Sequence, residues 1–120
     1  MNTEETNINT DEYLEELFHE CNLNPLQVAA AVADVTSVPL NKICDGNESS
    51  DPKVTNARAL AMYLARKCTS HSLLKIAKFF KCTHPLIIFK VKEVGKRLLA
   101  EDSLRSQLDL IVARMQDMCE

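Results

Sequence analysis

Residues 72–97, SLLKIAKFFKCTHPLIIFKVKEVGKR, have the pattern of a short helix, a three-residue turn and a longer helix. Ser72 can serve as N-cap of the first helix, whose apolar side chains recur at helical spacing over residues 73–80. After the turn, Pro85 suits the first turn of a second helix. The segment therefore predicts a helix-turn-helix at about residues 72–100.

The rest of the chain also predicts helices. Apolar side chains recur at helical spacing in five further segments, and no segment alternates as a strand would. These segments lie at about residues 10–21, 25–35, 39–44, 54–68 and 103–118. A chain of 120 residues with 46% apolar residues and two glycines suits one helical core. We expect an all-α bundle of six or seven helices, with one domain at 10–120 and a disordered acidic N-terminus at 1–9.

The charges divide the chain into three parts. Residues 1–51 contain one basic and eleven acidic residues, whereas residues 52–97 contain eleven basic residues and one acidic residue, a surplus of ten (eleven minus one). Residues 98–120 hold two basic and five acidic residues. A basic block of this size indicates a polyanionic partner. The alternative is a solvated surface whose lysines and arginines pair with the acidic flanks.

The helix-turn-helix predicts which residues contact DNA. In this motif the first helix crosses the phosphate backbone, and the second places its N-terminal residues on base edges in the major groove. Phosphate contacts are therefore expected from Lys75, Lys78 and Lys81. On the second helix, apolar residues follow one another at steps of four, three and four, and we expect their side chains to face the core. They are Ile87, Val91, Val94 and Leu98. The opposite face is then expected to carry Leu86, Lys90, Glu93 and Arg97, with Phe89 and Lys96 beside them.

Four stretches of the chain share their order and spacing with a known family, apart from one missing residue in the turn near Cys82. They are LQVAAAVADVTSVPLNKIC at 26–44, RALAMYL at 58–64, KCTSHSLLKIAKFF at 67–80 and THPLIIFKVKEV at 83–94. These stretches resemble the C-terminal DNA-binding domain of the bacterial replication initiator DnaA, and the last falls on its signature Asp-His-Thr-Thr-Val-x-x-Ala-x-x-x-Ile. The resemblance implies that domain's helical fold, within the wider Trp-repressor-like class, and double-stranded DNA as partner.

The resemblance also implies roles for residues at the start of the second helix. His84 falls on the signature His and Thr83 on the Asp beside it, which both belong to the family's base-reading site. Pro85 and Leu86 stand where the family has two Thr, and Phe89 stands where it has a later His. Since Pro85 replaces a threonine hydroxyl with a ring that has no hydrogen-bond donor, a changed preference for DNA sequence is implied.

A basic loop before the family's long helix extends the predicted DNA contacts. One of its arginines falls on Arg58, and Lys53 lies slightly upstream. The predicted phosphate ligands are thus Lys53, Arg58, Lys75, Lys78 and Lys81. The residues predicted for base or groove contact are Thr83, His84, Leu86, Phe89 and Lys90. We expect Leu86 and Phe89 to contact thymine methyls, and Lys90 to reach a guanine edge or a phosphate.

Two functions remain open from the sequence. The first is a stand-alone DNA-binding protein that regulates replication or transcription in the bacterial cytoplasm, at the nucleoid when bound to DNA. The second is a protein-interaction module on the same fold that has lost DNA binding, with Leu86 and Phe89 exposed to a protein partner. No membrane contact is expected, because the chain lacks a signal-peptide pattern and any apolar run of about 18 residues.

No enzymatic activity, nucleotide, cofactor or metal is expected. The sequence has no GxxxxGK[ST] motif, and its two glycines are too few for a phosphate-cradling loop. Cys68 and His71 form a CxxH spacing, and Cys82 and His84 form a CxH spacing. Together these spacings fit no common zinc site. The five cysteines are odd in number and form no CxxC, so we expect small buried apolar residues rather than a disulfide framework.

Overall fold

The structure, a computed structural model, describes residues 10–46 and 50–119, and the predicted disordered segment 1–9 lies outside them. The described chain forms seven helices and contains no strand, which confirms the predicted all-α class. They are α1 (Thr10–Phe18), α2 (Pro25–Thr36), α3 (Leu40–Ile43), α4 (Pro52–Cys68), α5 (Leu73–Phe80), α6 (His84–Ala100) and α7 (Asp102–Met118). None of these seven is both long enough and apolar enough to cross a membrane.

Polar side chains fix where the helices around the basic block begin. Ser72 Oγ accepts a hydrogen bond from Lys75 N at 3.2 Å, which confirms the predicted cap of α5. Asp51 Oδ1 accepts from Lys53 N at 3.0 Å, and Pro52 occupies the first turn. As a result α4 begins at Pro52, two residues before its predicted start.

The core is built around α4, which packs against α1, α2, α3, α5 and α6. Many of its buried side chains are small, and this permits close approach of the neighbouring helices. Its buried residues are Val54, Ala57, Ala59, Leu60, Ala61, Met62, Tyr63, Leu64, Ala65 and Cys68. Since α7 packs against α2 and α6, one side of α6 is held between α4 and α7. The bundle therefore fixes α6 by its inner face.

The turn between α5 and α6 is held by its own backbone and by a neighbouring loop. Lys81 lies in the left-handed region at φ 58°, and its N–H donates to Lys78 O at 3.1 Å. Cys82 N donates to Ala77 O at 3.0 Å. Gly46 approaches this turn so closely that a Cβ there would lie 2.8 Å from Lys81 O. The loop after α3 thus depends on a glycine to pack against the helix-turn-helix.

A disulfide joins Cys21 and Cys119, whose Cα atoms lie 5.4 Å apart. The expectation of unpaired cysteines is wrong for this pair, because the bundle brings together two residues separated by 98 positions. Cys21 was also predicted within α1, but that helix ends at Phe18. The free thiols are those of Cys44, Cys68 and Cys82.

Candidate nucleic-acid interface

The face of α6 turned away from the core carries a continuous exposed stripe. Ile87, Val94 and Leu98 are buried and Val91 is half-buried. The residues two positions before these are all exposed, and they are Pro85, Phe89, Lys92 and Lys96. An α-helix turns by about 100° per residue, so a step of two residues leads by about 200° to the far side. We call these four residues the outer stripe.

The face predicted from the sequence is wrong by one position. Its members are all half-buried, and they are Leu86, Lys90, Glu93 and Arg97. Each precedes a core position by one residue, a rotation of about 100°, and therefore lies on the flank of α6 rather than opposite the core. The sequence prediction missed Lys92 for this reason. Counting back two residues from each core position identifies it, because Lys92 lies two residues before Val94.

The N-terminal tip of α6 is exposed and largely apolar. Thr83 occupies the N-cap position without a capping hydrogen bond from its side chain, and both Thr83 and His84 are exposed. Phe89 is 58% exposed and Ile88 is 43% exposed. Leu86 was expected to share this surface with Phe89, but it is half-buried. The exposed apolar pair is therefore Phe89, which the sequence prediction includes, and Ile88, which it does not.

Exposed lysines also lie on the elements that precede α6 in the chain. Lys75 and Lys78 lie on α5, Lys81 lies in the turn and Lys53 lies at the start of α4, and all four side chains are exposed. The predicted phosphate ligands other than Arg58 are thus accessible to a partner. Together with Lys92 and Lys96 of the outer stripe, we call these exposed lysines the basic rim.

A groove of about 620 Å³ separates the start of α4 from the flank of α6. Its charged and amide side chains are those of Lys53, Asn56, Lys90, Glu93 and Arg97. Lys90 Nζ lies 3.6 Å from Glu93 Oε1 and 6.0 Å from the centre of the Phe89 ring. The ion pair partly neutralises Lys90, so the structure offers a weaker cation at this position than the sequence alone suggests.

Arg97 connects α6 to α4 and α7. Its Nε and Nη2 donate to the Glu101 carboxylate at 2.9 and 3.1 Å, and its Nη1 donates to Asn56 Oδ1 at 2.9 Å. Asn56 Nδ2 donates in turn to Gln107 Oε1 at 3.3 Å. The hydrogen bond between Arg97 and Glu101 raises the pKa of the guanidinium and lowers the pKa of the carboxyl. Arg97 therefore stabilises the helix bundle.

Arg58 was predicted to bind phosphate, but its guanidinium contacts backbone carbonyls of this chain. Its Nη1 donates to Ile43 O at 3.0 Å and to Asp45 O, and its Nη2 donates to Phe80 O at 3.5 Å. The residue is half-buried between the end of α3 and the end of α5. Arg58 thus holds the loop after α3 against the helix-turn-helix, a role that depends on carbonyls remote in the sequence.

The cysteines and histidines of the described chain form neither a metal site nor a reactive thiol. Within residues 10–46 and 50–119, no group of three or more His, Cys, Asp or Glu side chains is placed to hold a metal ion. Burial raises the pKa of the Cys68 thiol to about 12. Burial also raises the pKa of Cys44 and of Cys82, and this outweighs the opposing effect of the nearby Arg58 charge. At neutral pH these three thiols are protonated, and a protonated thiol is a poor nucleophile.

Comparison with known proteins gives one consistent result. A model of the bacterial dnaA protein helix-turn-helix matches residues 25–94. Chromosomal replication initiator protein DnaA 2 of Chlamydia pneumoniae is 31% identical over 102 residues, which are 82% of this chain and 22% of the relative. Chromosomal replication initiator protein DnaA of Thermotoga maritima is 33% identical over 85 residues, 70% of this chain and 19% of the relative. The chain thus spans about a fifth of the length of these relatives.

Proposed function

Because the chain belongs to the family of bacterial DnaA helix-turn-helix domains, we propose that it binds double-stranded DNA with α6 in the major groove. The outer stripe is the observation that carries this proposal. It faces away from the core, it is exposed along α6, and the helix and turn that precede α6 carry exposed lysines. A basic rim of this kind is what contact with a phosphate backbone on either side of a groove requires.

The two halves of the outer stripe suit two kinds of contact. Pro85 and Phe89 lie near the N-terminus of α6, the end that approaches base edges in a helix-turn-helix. Lys92 and Lys96 follow Phe89 by one and two turns, so Lys96 lies about 10 Å further along the helix axis. There they would meet phosphates as α6 leaves the groove, while Lys75, Lys78 and Lys81 contact the strand that α5 crosses.

The tip of α6 supports a sequence preference different from that implied by the family signature. Thr83 and His84 keep polar groups exposed, but Pro85 and Leu86 replace hydroxyl side chains, and Leu86 is half-buried. Phosphate-binding charge is therefore retained while much of the base-reading chemistry has changed.

The biological role that we propose is regulation of replication or transcription by occupation of duplex DNA. The matched relatives are named as chromosomal replication initiators, and the chain corresponds to about a fifth of them. The setting of this role would be the bacterial cytoplasm, at the nucleoid. Footprints of the protein on the chromosome of its source cell, near origins or promoters, would support the role.

A salt titration of binding to a labelled random-sequence duplex tests the proposal. Affinity should fall steeply between about 50 and 200 mM salt, because each phosphate contact releases counterions. Lys92→Ala and Lys96→Ala should each reduce the slope of log affinity against log salt by about 0.9. Arg66→Ala is the matched control, because Arg66 is exposed on the last turn of α4 and outside the rim.

Two outcomes would contradict the proposal. One is no binding at about 50 mM salt, which would instead favour Phe89 and Ile88 as a surface for a protein partner. The other is binding whose salt slope is the same in Lys92→Ala, Lys96→Ala and Arg66→Ala, since the outer stripe would then not contact phosphate.

A further inference from the structure

The tip of α6 lacks the side chains that read guanine and adenine best. Guanine is read by Arg or Lys on O6 and N7, and adenine by Asn or Gln on N6 and N7. The first seven residues of α6, HPLIIFK at 84–90, contain no Arg, Asn or Gln. Their one lysine, Lys90, has a side chain that is 23% exposed and pairs with Glu93 at 3.6 Å. Bidentate readout of a purine is therefore not available from this surface.

Apart from Thr83 and His84, the side chains that remain exposed at the tip are apolar. Phe89 is 58% exposed, Ile88 is 43% exposed and Pro85 is exposed beside them. Large apolar side chains on a recognition surface gain most from apolar groups on the partner. In the major groove, the thymine C5-methyl is the apolar group that base pairs present. Cytosine presents an N4 amine and guanine presents O6 and N7, which would lose water without gaining a hydrogen bond.

We infer that Phe89, supported by Ile88 and Pro85, selects duplexes by contact with C5-methyl groups in the major groove. This inference rests on the proposed DNA binding and names the base feature that the site recognises. The basic rim supplies affinity for any duplex, and the apolar tip adds preference for sites rich in thymine. The same chemistry extends to 5-methylcytosine, which carries its methyl at the corresponding ring position.

Replacing thymine by uracil removes this methyl and nothing else from the base. We would measure binding of the wild-type chain to an A·T-rich 20-base-pair duplex and to the same duplex with every thymine replaced by uracil. Affinity is expected to fall by about fourfold for each methyl in contact, the value of one buried methyl group. In a G·C-rich duplex of mixed sequence, replacing cytosine by 5-methylcytosine is expected to raise affinity by a similar factor.

Two variants locate the effect on the protein. In Phe89→Ala the ratio of thymine-duplex to uracil-duplex affinity should approach one, and the fold is expected to persist because this side chain is mostly exposed. In Lys92→Ala both affinities should fall by the same factor, so the ratio is kept.

The outcomes separate this inference from the proposed function. Equal wild-type affinity for the thymine and uracil duplexes overturns methyl recognition while DNA binding stands. A ratio that is unchanged in Phe89→Ala also overturns it, because the effect would then not arise from contact with Phe89. No binding of either duplex at about 50 mM salt overturns both proposals.

Discussion

Breaking the Cys21–Cys119 disulfide is expected to lower the free energy of unfolding by about 4.7 kcal/mol. The bond links residues separated by 98 positions, so it closes a loop that contains α2 to α7. Such a cross-link restricts the unfolded chain, and the loss of chain entropy for a loop of about 100 residues gives this magnitude.

Thermal unfolding of the oxidised chain and of the Cys21→Ser/Cys119→Ser variant measures this effect. For a chain of this size about 1 kcal/mol shifts Tm by about 4 °C, so a decrease of about 15 to 20 °C is expected. DNA affinity at a temperature where both forms are folded should be equal, because the disulfide joins the segments that follow α1 and α7 rather than the tip of α6. Cys44→Ser, which keeps the disulfide, is the control for loss of a thiol.

Two results would refute this reasoning. Thiol titration of the air-oxidised, denatured chain should find three free thiols of the five cysteines. Five free thiols would show that the bond does not form. A Tm that is the same in the oxidised chain and in the double variant would show that loop closure contributes nothing to stability.

Two further predictions concern the arginines that act within the fold. Arg58→Ala should destabilise the chain by about 2 kcal/mol in urea unfolding, because Ile43 O and Phe80 O lose their donor. Unchanged stability together with a lower salt slope of DNA binding would instead show that Arg58 contacts phosphate. The hydrogen bond from Arg97 lowers the pKa of Glu101, so the stability that the ionised carboxylate contributes is present at neutral pH and is lost as the pH falls below the ordinary value of 4.5. In urea unfolding across this range, the free energy of unfolding should decrease less in Glu101→Gln than in the wild type. An equal decrease in both proteins would contradict the assignment.

The helices were predictable from the sequence because their signals are local. Ser72 caps α5 through a hydrogen bond to the backbone three residues on, and α6 begins with a proline in its first turn. The apolar stripe of α6 was identified from spacing alone. The face opposite that stripe was misplaced by one residue, although the same helical geometry determines it.

The non-local features could not be predicted in the same way. Arg58 contacts carbonyls that lie 13 to 22 residues away, and a carbonyl leaves no trace in side-chain patterns. The Cys21–Cys119 bond joins the connection between α1 and α2 to the residue after α7, so it follows from the tertiary packing of these helices rather than from cysteine spacing. In both cases the partner is set by the tertiary fold.

The basic block also shows why a count of charges overstates what is offered to DNA. Two of its eleven basic residues, Arg58 and Arg97, donate hydrogen bonds from their guanidinium groups to oxygen atoms of this chain. A guanidinium suits this role because it can hold several acceptors in fixed geometry, whereas an ammonium acts as a point charge on a flexible stem. The lysines of α5, the turn and the outer stripe are exposed instead. Internal packing thus depends on two arginines, and the proposed salt-dependent affinity for duplex DNA would depend on the exposed lysines.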